Sequence, residues 1–186
     1  MDKKLANAKQ PRLLWLDLEM TGLNANRDLI LEVAAIVTDW DFNEFATFEG
    51  IVKHDDGQLN RLMAGNAGFW DANPAARDGL LSQNPGGKVI HEVEKALLDF
   101  ISDNFEADKP VLLAGNSIHM DRRFITSQMP EFDARLHYRM LDVSAWKVVF
   151  EAKFSKRYAK PERHRALDDI RGSIEEMKYY AGKVSV

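Results

Sequence analysis

The feature that most constrains this chain is a hydrophobic segment at residues 13–23 (LLWLDLEMTGL), which is interrupted by two carboxylates. So apolar a run predicts a central strand of a sheet. Because successive side chains on a strand alternate between its faces, Asp17 and Glu19 are predicted to point to the same side. Burying two acids together is unfavourable unless cations or hydrogen-bond donors compensate. The alternative is a strand end at which both acids meet solvent, the usual environment of charged side chains.

Composition predicts a single domain over residues 1–186, with a flexible N-terminus at 1–11. The chain is 45% hydrophobic and 29% charged, which suits one globular core. Its net charge of −4 argues against a broad basic surface for long nucleic acid, although a short anionic ligand remains compatible. The sequence has no cysteine and no run long enough to span a membrane. We therefore expect a soluble, cytoplasmic protein.

Hydrophobic periodicity predicts an α/β fold with a mixed five-stranded sheet flanked by helices. After the first strand, strands are predicted at 29–38, 45–53, 110–116 and 138–141. Helices are predicted at 91–105, 120–129, 144–154 and 166–181, whereas 59–82 reads as short helices or turns. Short connections favour an antiparallel arrangement of the first three strands, and a helix between strands favours parallel pairing of the later ones.

Further acidic and imidazole side chains lie where predicted elements begin or end, which is where α/β proteins place their chemistry. Asp121 follows the fourth strand, and its alternative role is a first-turn acid that interacts favourably with the helix dipole. His164 precedes the last helix, and its alternative is a surface imidazole. Of the two acids that follow it, Asp168 falls on a polar helical face, whereas Asp169 shares a face with small residues that permit close approach of a neighbouring element.

Four carboxylates and one histidine suit a centre of two divalent cations. Oxygen ligands favour hard ions such as Mg²⁺ or Mn²⁺, and two such ions about 4 Å apart can stabilise the attacking and leaving oxygens of a phosphodiester. A histidine can then accept a proton from the attacking water. The candidates for this centre are Asp17, Glu19, Asp121, Asp169 and His164.

Three ordered motifs give the chain a family resemblance. D-x-E at residues 17–19, N-x-x-x-x-D at 116–121 and H-x-A-x-x-D at 164–169 resemble the three motifs of the DEDDh 3′→5′ exonucleases. Within that superfamily, DLEMTGL at 17–23, GNSIHMDRRF at 115–124 and HYRMLDVS at 137–144 resemble the oligoribonuclease family. The match covers residues 12–181 and implies an RNase H-like sheet.

The resemblance implies roles for individual residues. Asp17, Glu19, Asp121 and Asp169 match metal ligands, and His164 matches the general base. Leu23 matches a leucine that wedges against the bases, and Trp70 is the candidate for an aromatic residue that stacks on a base. For both, ordinary packing in the core is the alternative. The positions that cap a 5′ phosphate match Ser117, Tyr138, Arg139 and Ser144, and we count Tyr138 with His164 among the catalytic side chains.

One position departs from the family pattern. Oligoribonucleases usually carry a histidine five residues after the tryptophan, where this chain has Ala75. One side chain that would contact substrate is therefore missing. The resemblance also implies a homodimer that helps to form the site.

These features together predict a 3′→5′ exoribonuclease that uses Mg²⁺ or Mn²⁺, two ions per active site. Its expected substrates are very short RNAs, chiefly 5′-phosphorylated dinucleotides, which it hydrolyses to nucleoside monophosphates. The alternatives are a DNA-proofreading or general DEDDh exonuclease with the same metal centre, and a non-catalytic nucleotide-binding module on the same fold.

Overall fold

The computed structural model describes residues 12–159 and 165–184 and contains the five predicted strands. The strands are β1 (Leu13–Met20), β2 (Ile30–Thr38), β3 (Glu44–Ile51), β4 (Val111–Gly115) and β5 (Leu136–Asp142). Their order in the sheet is β3-β2-β1-β4-β5. The pairs β1–β2 and β2–β3 are antiparallel, whereas β1–β4 and β4–β5 are parallel. The predicted mixed sheet is confirmed.

Helices follow or connect these strands. After β3 come α1 (Asp56–Ala64), α2 (Ala67–Ala72), α3 (Pro74–Gln83), a 3₁₀ turn (Asn84–Gly86) and α4 (Ile90–Asn104). After β4 come α5 (His119–Gln128) and α6 (Pro130–Asp133), and after β5 come α7 (Val143–Phe154) and α8 (Ala166–Ala181). The short α6 has no counterpart in the sequence prediction, because four residues show too little periodicity to be recognised.

The alternation of side chains on β1 divides the core into two layers. Leu14, Leu16 and Leu18 pack on the face covered by α4 and α5. Leu13 and Trp15 pack on the opposite face, which α7 and α8 cover. Asp17 and Glu19 continue the second face, so the strand's own pattern directs both carboxylates toward α8.

The parallel pairing of β1, β4 and β5 brings the C-terminal ends of these strands to one edge of the sheet. This is the edge at which open α/β sheets bind ligands. Within the described part of the chain, no helix is long and apolar enough to cross a membrane.

Candidate metal centre and substrate site

Three carboxylates from two elements meet at the end of β1. Asp17 and Glu19 on β1 and Asp169 in the first turn of α8 offer ligand oxygens within 4.8 Å of one another. All three side chains are half-buried. The helical register therefore separates the two aspartates as the sequence predicts: Asp169 faces the cluster, and Asp168 is exposed.

Asp121 approaches β1 from α5, the helix that follows β4. Its side chain is buried, and its Oδ1 accepts a hydrogen bond of 3.1 Å from the Leu18 backbone N–H, between Asp17 and Glu19. The pairing of β1 with β4 ends at Trp15, so the Asp121 carboxylate accepts its hydrogen bond from β1 beyond the paired region. Its place at the start of α5 thus brings a fourth acid to the edge of β1.

Two of these acids, Glu19 and Asp121, have pKa values raised by burial and by the charges of their neighbours. Burial raises the pKa of Glu19 from 4.5 to about 8, helped by the charges of Asp17, Glu32 and Asp169. Burial also raises the pKa of Asp121 well above its usual range, and Asp17 adds to the effect. Acids held together in this way are stabilised by cations, and carboxylate oxygens are the donors that hard divalent ions prefer. The residues present therefore fit the divalent metal centre.

Glu32 is a fifth acid at this site that the sequence prediction missed. It lies on β2 directly opposite Glu19, is 1% exposed, and pairs with Arg165 at 3.6 Å. A carboxylate inside the hydrophobic run of β2 was the signal that could have revealed it. The cross-strand partner, however, follows only from the strand register, which hydrophobic periodicity alone does not fix.

The loop after β1 presents Leu23 to solvent. Leu23 is 67% exposed, and a side chain at the neighbouring Gly22 would collide with Asn66 and Asp28. Asn66 lies just before α2, and its side-chain amide donates to the Thr21 carbonyl at 2.9 Å. The loop is therefore fixed against α2 while Leu23 projects outward.

Trp70 does not present its ring as predicted. It is 2% exposed, and its indole N–H donates to the Thr21 carbonyl at 3.1 Å. Its ring packs with Leu31, Leu59 and Met63, so the structure shows the packing alternative and not a base-stacking surface. The neighbouring Phe69 is 48% exposed, and its ring centre lies 5.0 Å from that of Trp70.

Asp142, at the end of β5, organises two of the predicted phosphate-capping residues. Its Oδ1 accepts from the backbone N–H of Ser117 (2.9 Å) and from the backbone N–H (2.9 Å) and hydroxyl (2.6 Å) of Ser144. Its Oδ2 lies 3.4 Å from His119 Nδ1. Asp142 is also the N-cap of α7. The sequence prediction missed it because its contacts join segments 25 residues apart.

Tyr138 and Arg139 lie near the exposed edge of the sheet. Both are exposed, and the Arg139 guanidinium carbon lies 5.2 Å from the centre of the Tyr138 ring. The His137 ring stacks on the Tyr138 ring, with the two ring centres 4.5 Å apart. Ala75, in α3, is exposed as well. His164, the predicted base, lies outside the described residues, between Ala159 and Arg165.

Comparison with known proteins places the chain in a family. A family model described as exonuclease (RNase T) matches residues 14–71 and 83–177. The oligoribonuclease of Neisseria meningitidis serogroup B is 41% identical over 173 residues, which cover 90% of this chain and 89% of that protein. The oligoribonuclease of Escherichia coli O157:H7 is 37% identical over 178 residues, covering 94% and 96%.

A solved structure shares the fold at much lower identity. The metal-free complex of E. coli exonuclease I with single-stranded DNA has a TM-score of 0.67 at 14% identity, over 94% of this chain. The matched region spans 40% of the exonuclease I chain, so the likeness supports the RNase H-like fold alone. By its sequence relatives and its matching family model, this chain belongs to the oligoribonuclease family of metal-dependent 3′→5′ exoribonucleases.

Proposed function

We propose that this enzyme hydrolyses very short RNAs, chiefly 5′-phosphorylated dinucleotides, to nucleoside monophosphates with Mg²⁺ or Mn²⁺. The observation that carries the proposal is the cluster of Asp17, Glu19 and Asp169 with Asp121 beside it, in a chain 41% identical to an oligoribonuclease. We assign these four acids as the ligands of two cations. Bound there, the cations supply positive charge that stabilises the attacking and leaving oxygens of the phosphodiester.

The chain's own groups orient the reacting atoms and move the proton. His164 accepts the proton of the attacking water, which requires a neutral imidazole. In the sequence it stands five residues before Asp169, one of the proposed ligands. The water oxygen forms a bond to phosphorus as the bond to the ribose O3′ breaks. The O3′ takes up a proton from solvent and becomes a 3′-hydroxyl, and the released nucleotide keeps the phosphate.

A cap for the 5′ phosphate accounts for the preference for dinucleotides. Ser117 and Ser144 are held together by Asp142, and Arg139 and Tyr138 precede this carboxylate on β5. An arginine grips phosphate oxygens with a planar fork of donors. We propose that these groups bind the terminal phosphate and that Tyr138 belongs to the cap.

At the other end of the substrate, Leu23 and Phe69 are our candidates for contact with the bases. Both are exposed, and both lie on segments that the hydrogen bonds to the Thr21 carbonyl hold together. Phe69 takes the role first assigned to Trp70, because an aromatic ring needs an accessible face to stack on a base. Removing the ring in Phe69→Ala is expected to raise KM for a dinucleotide, whereas an unchanged KM would exclude Phe69 from the base contact.

The proposal extends to assembly and compartment. We propose a homodimer, since exposed apolar side chains occur on α7, the helix that follows the edge strand β5 in the chain. We also propose the cytoplasm, since the substrate is RNA and the absence of cysteine suits a reducing compartment. Recovery of the native protein in a membrane or secreted fraction would contradict the second point.

The central experiment measures hydrolysis of a 5′-phosphorylated diribonucleotide at controlled Mg²⁺ and Mn²⁺ concentrations. Asp17→Asn removes a negative ligand at nearly constant volume, so we expect a folded protein with turnover reduced at least about a hundredfold. His164→Ala is expected to abolish the rise of kcat with pH that titration of a base produces. Near-normal hydrolysis by Asp17→Asn would refute the assignment.

A second candidate is a DNA-specific exonuclease with the same metal centre. The observation behind it is the shared fold with exonuclease I, solved as a complex with single-stranded DNA. The ribo- and deoxyribo-forms of one dinucleotide discriminate between the two candidates. We expect the ribo-form to be cleaved faster, and the reverse ratio would favour the DNA enzyme.

A further inference from the structure

The proposed metal centre borders a buried ion pair that has no assigned part in the reaction. Glu32 is 1% exposed, and neither of its carboxylate oxygens has a hydrogen-bond partner among the described residues. Burial raises its pKa, and the charge of Arg165 opposes that shift. A buried carboxylate without donors is strongly unfavourable, so Glu32 depends on the Arg165 guanidinium at 3.6 Å.

Arg165 pairs with Glu32, and its charge also acts on Glu19. It is the N-cap residue of α8, and its carbonyl accepts the Asp169 backbone N–H at 2.9 Å. Its guanidinium lies beside α3, with Nη1 3.9 Å from the point where a Cβ would stand on Gly79. Glu32 and Glu19 are directly opposite each other on neighbouring strands, so their side chains share one face of the sheet. The same arginine is therefore within reach of both acids.

The electrostatics support this proximity. Burial and the neighbouring acids raise the pKa of Glu19, and the charge of Arg165 acts in the opposite direction. An arginine whose charge acts on Glu19 is a competitor for divalent cations there, since it offers a positive charge and several N–H donors to the same oxygens. What restrains it in the structure is its pairing with Glu32.

We propose that Glu32 is a positioning residue that holds the Arg165 guanidinium away from the metal-binding carboxylates and keeps Glu19 and Asp169 available to divalent cations. The inference rests on the metal site proposed above. Arg165 also begins the first turn of α8, because its backbone carbonyl accepts the Asp169 N–H. Glu32 thus acts on the cations through Arg165 and does not bind them itself.

The test is a double-mutant cycle read by Mn²⁺ binding to the full-length protein without RNA, followed by electron paramagnetic resonance of the free ion. Glu32→Gln keeps the side-chain shape but releases the arginine, so we expect Mn²⁺ affinity to fall about tenfold. Arg165→Gln removes the competitor, so its Mn²⁺ affinity should not fall. In Glu32→Gln/Arg165→Gln the affinity should return close to that of the unaltered protein.

A matched control uses a second ion pair that joins α8 to the sheet. Arg171 pairs with Glu44 on β3 at 3.3 Å, away from the carboxylate cluster. Glu44→Gln breaks this contact and should leave Mn²⁺ binding unchanged. The same measurements on Mg²⁺-dependent hydrolysis should show a raised metal requirement for Glu32→Gln, with kcat at saturating Mg²⁺ largely retained.

Each outcome separates the inference from the proposed function. Unchanged Mn²⁺ affinity in Glu32→Gln overturns the inference. So does a double variant that binds as weakly as Glu32→Gln, because Glu32 would then act directly and not through Arg165. If the binding shifts occur as expected but no RNA is hydrolysed, the inference holds and the proposed function fails. If the unaltered protein binds no Mn²⁺, both fail.

Discussion

Glu19 illustrates how one residue links the stability of this fold to its chemistry. Its carboxyl group is half-buried and faces three other acids, which together with burial raise its pKa from 4.5 to about 8. The folded protein without metal therefore binds a proton at Glu19 that the unfolded chain releases near pH 4.5. Cation binding must displace this proton, so metal affinity and folding stability respond to pH in opposite directions.

The resulting prediction concerns thermal unfolding in the presence of a chelator. Because the folded-state pKa of Glu19 exceeds the unfolded value, its contribution to stability is complete below about pH 4.5 and is lost as pH rises through about 8. We expect Tm to decrease between about pH 5 and about pH 8, and Glu19→Gln to make that decrease smaller. The exposed Asp103→Asn serves as the control and should keep the full decrease.

A Tm that stays constant or rises over this interval would contradict the pKa argument. Added Mg²⁺ should raise Tm most at the upper end of the interval, where the proton competes least. Thermal scans at several pH values, with and without the metal, distinguish the two contributions.

At the scale of elements, periodicity predicted the strands and the long helices because each buries one regular face. The last helix was predicted at 166–181 and is found at Ala166–Ala181, and the strand 138–141 extends to Leu136–Asp142. Local geometry alone predicts that Asp17 and Glu19 share one face of β1. It also predicts on which face of α8 Asp169 lies. These local rules also explain why the carboxylate cluster could be predicted.

Contacts between distant segments could not be predicted in this way. Glu32 meets Arg165, and Asp142 meets Ser117, only after the sheet has assembled. Trp70 failed as a prediction for a related reason. Its burial depends on the Thr21 carbonyl, 49 residues earlier, which accepts the indole N–H. Whether a tryptophan packs or stacks on a ligand is decided by such partners and not by its sequence position.

Asp142 gives a prediction that belongs to the ends of β5 and α7. Asp142→Ala removes the N-cap of α7 and the acceptor for the Ser117 N–H, so we expect a loss of about 1 to 2 kcal/mol in the free energy of unfolding. It should also lower the preference for 5′-phosphorylated over unphosphorylated dinucleotides. The reason is that Ser117 and Ser144, which we propose bind the 5′ phosphate, lose their common acceptor. Denaturant unfolding and the ratio of kcat/KM values measure the two effects.

The matched control for Asp142 is another aspartate N-cap. Asp55 caps α1 by accepting the Gln58 N–H at 2.9 Å. Asp55→Ala should lower stability by a similar amount and leave the substrate ratio unchanged. Equal substrate ratios in the two variants would mean that Asp142 acts only as a helix cap.

For the whole molecule, assembly is the first question. Val148 and Val149 on α7 are exposed, as is Phe154 at its end, and β5 forms one edge of the sheet. We expect light scattering at micromolar concentration to give a mass near twice the 21.2 kDa of one chain.

Val148→Asp should shift the equilibrium toward monomer because it places a charge in an apolar contact. The control is Trp40→Asp, in the turn between β2 and β3, which should leave the mass unchanged. An unaltered protein that is monomeric and fully active would refute the dimer.

The dependence of rate on RNA length tests how the charge of the whole molecule and the terminal cap act together. The net charge of −4 offers little attraction to the additional phosphates of a longer RNA. A cap that binds a 5′ phosphate favours a substrate whose 5′ terminus lies one nucleotide from the cleaved bond, and a longer RNA must forgo or distort that contact. Under single-turnover conditions we therefore expect 5′-phosphorylated dinucleotides to be cleaved much faster than RNAs of about seven residues.

Arg139→Ala should lose most on the dinucleotide, by about 1.5 to 3 kcal/mol for a hydrogen bond to a charged group. Arg171→Ala alters an arginine paired with Glu44 on the opposite edge strand β3, and it should change the cleavage rate of neither RNA. Ala75 replaces a histidine of the family pattern, so the preference is expected to be smaller than in a relative that retains it, and Ala75→His should increase it. Equal rates for two- and seven-residue RNAs would show that the metal centre acts without a length-selective cap.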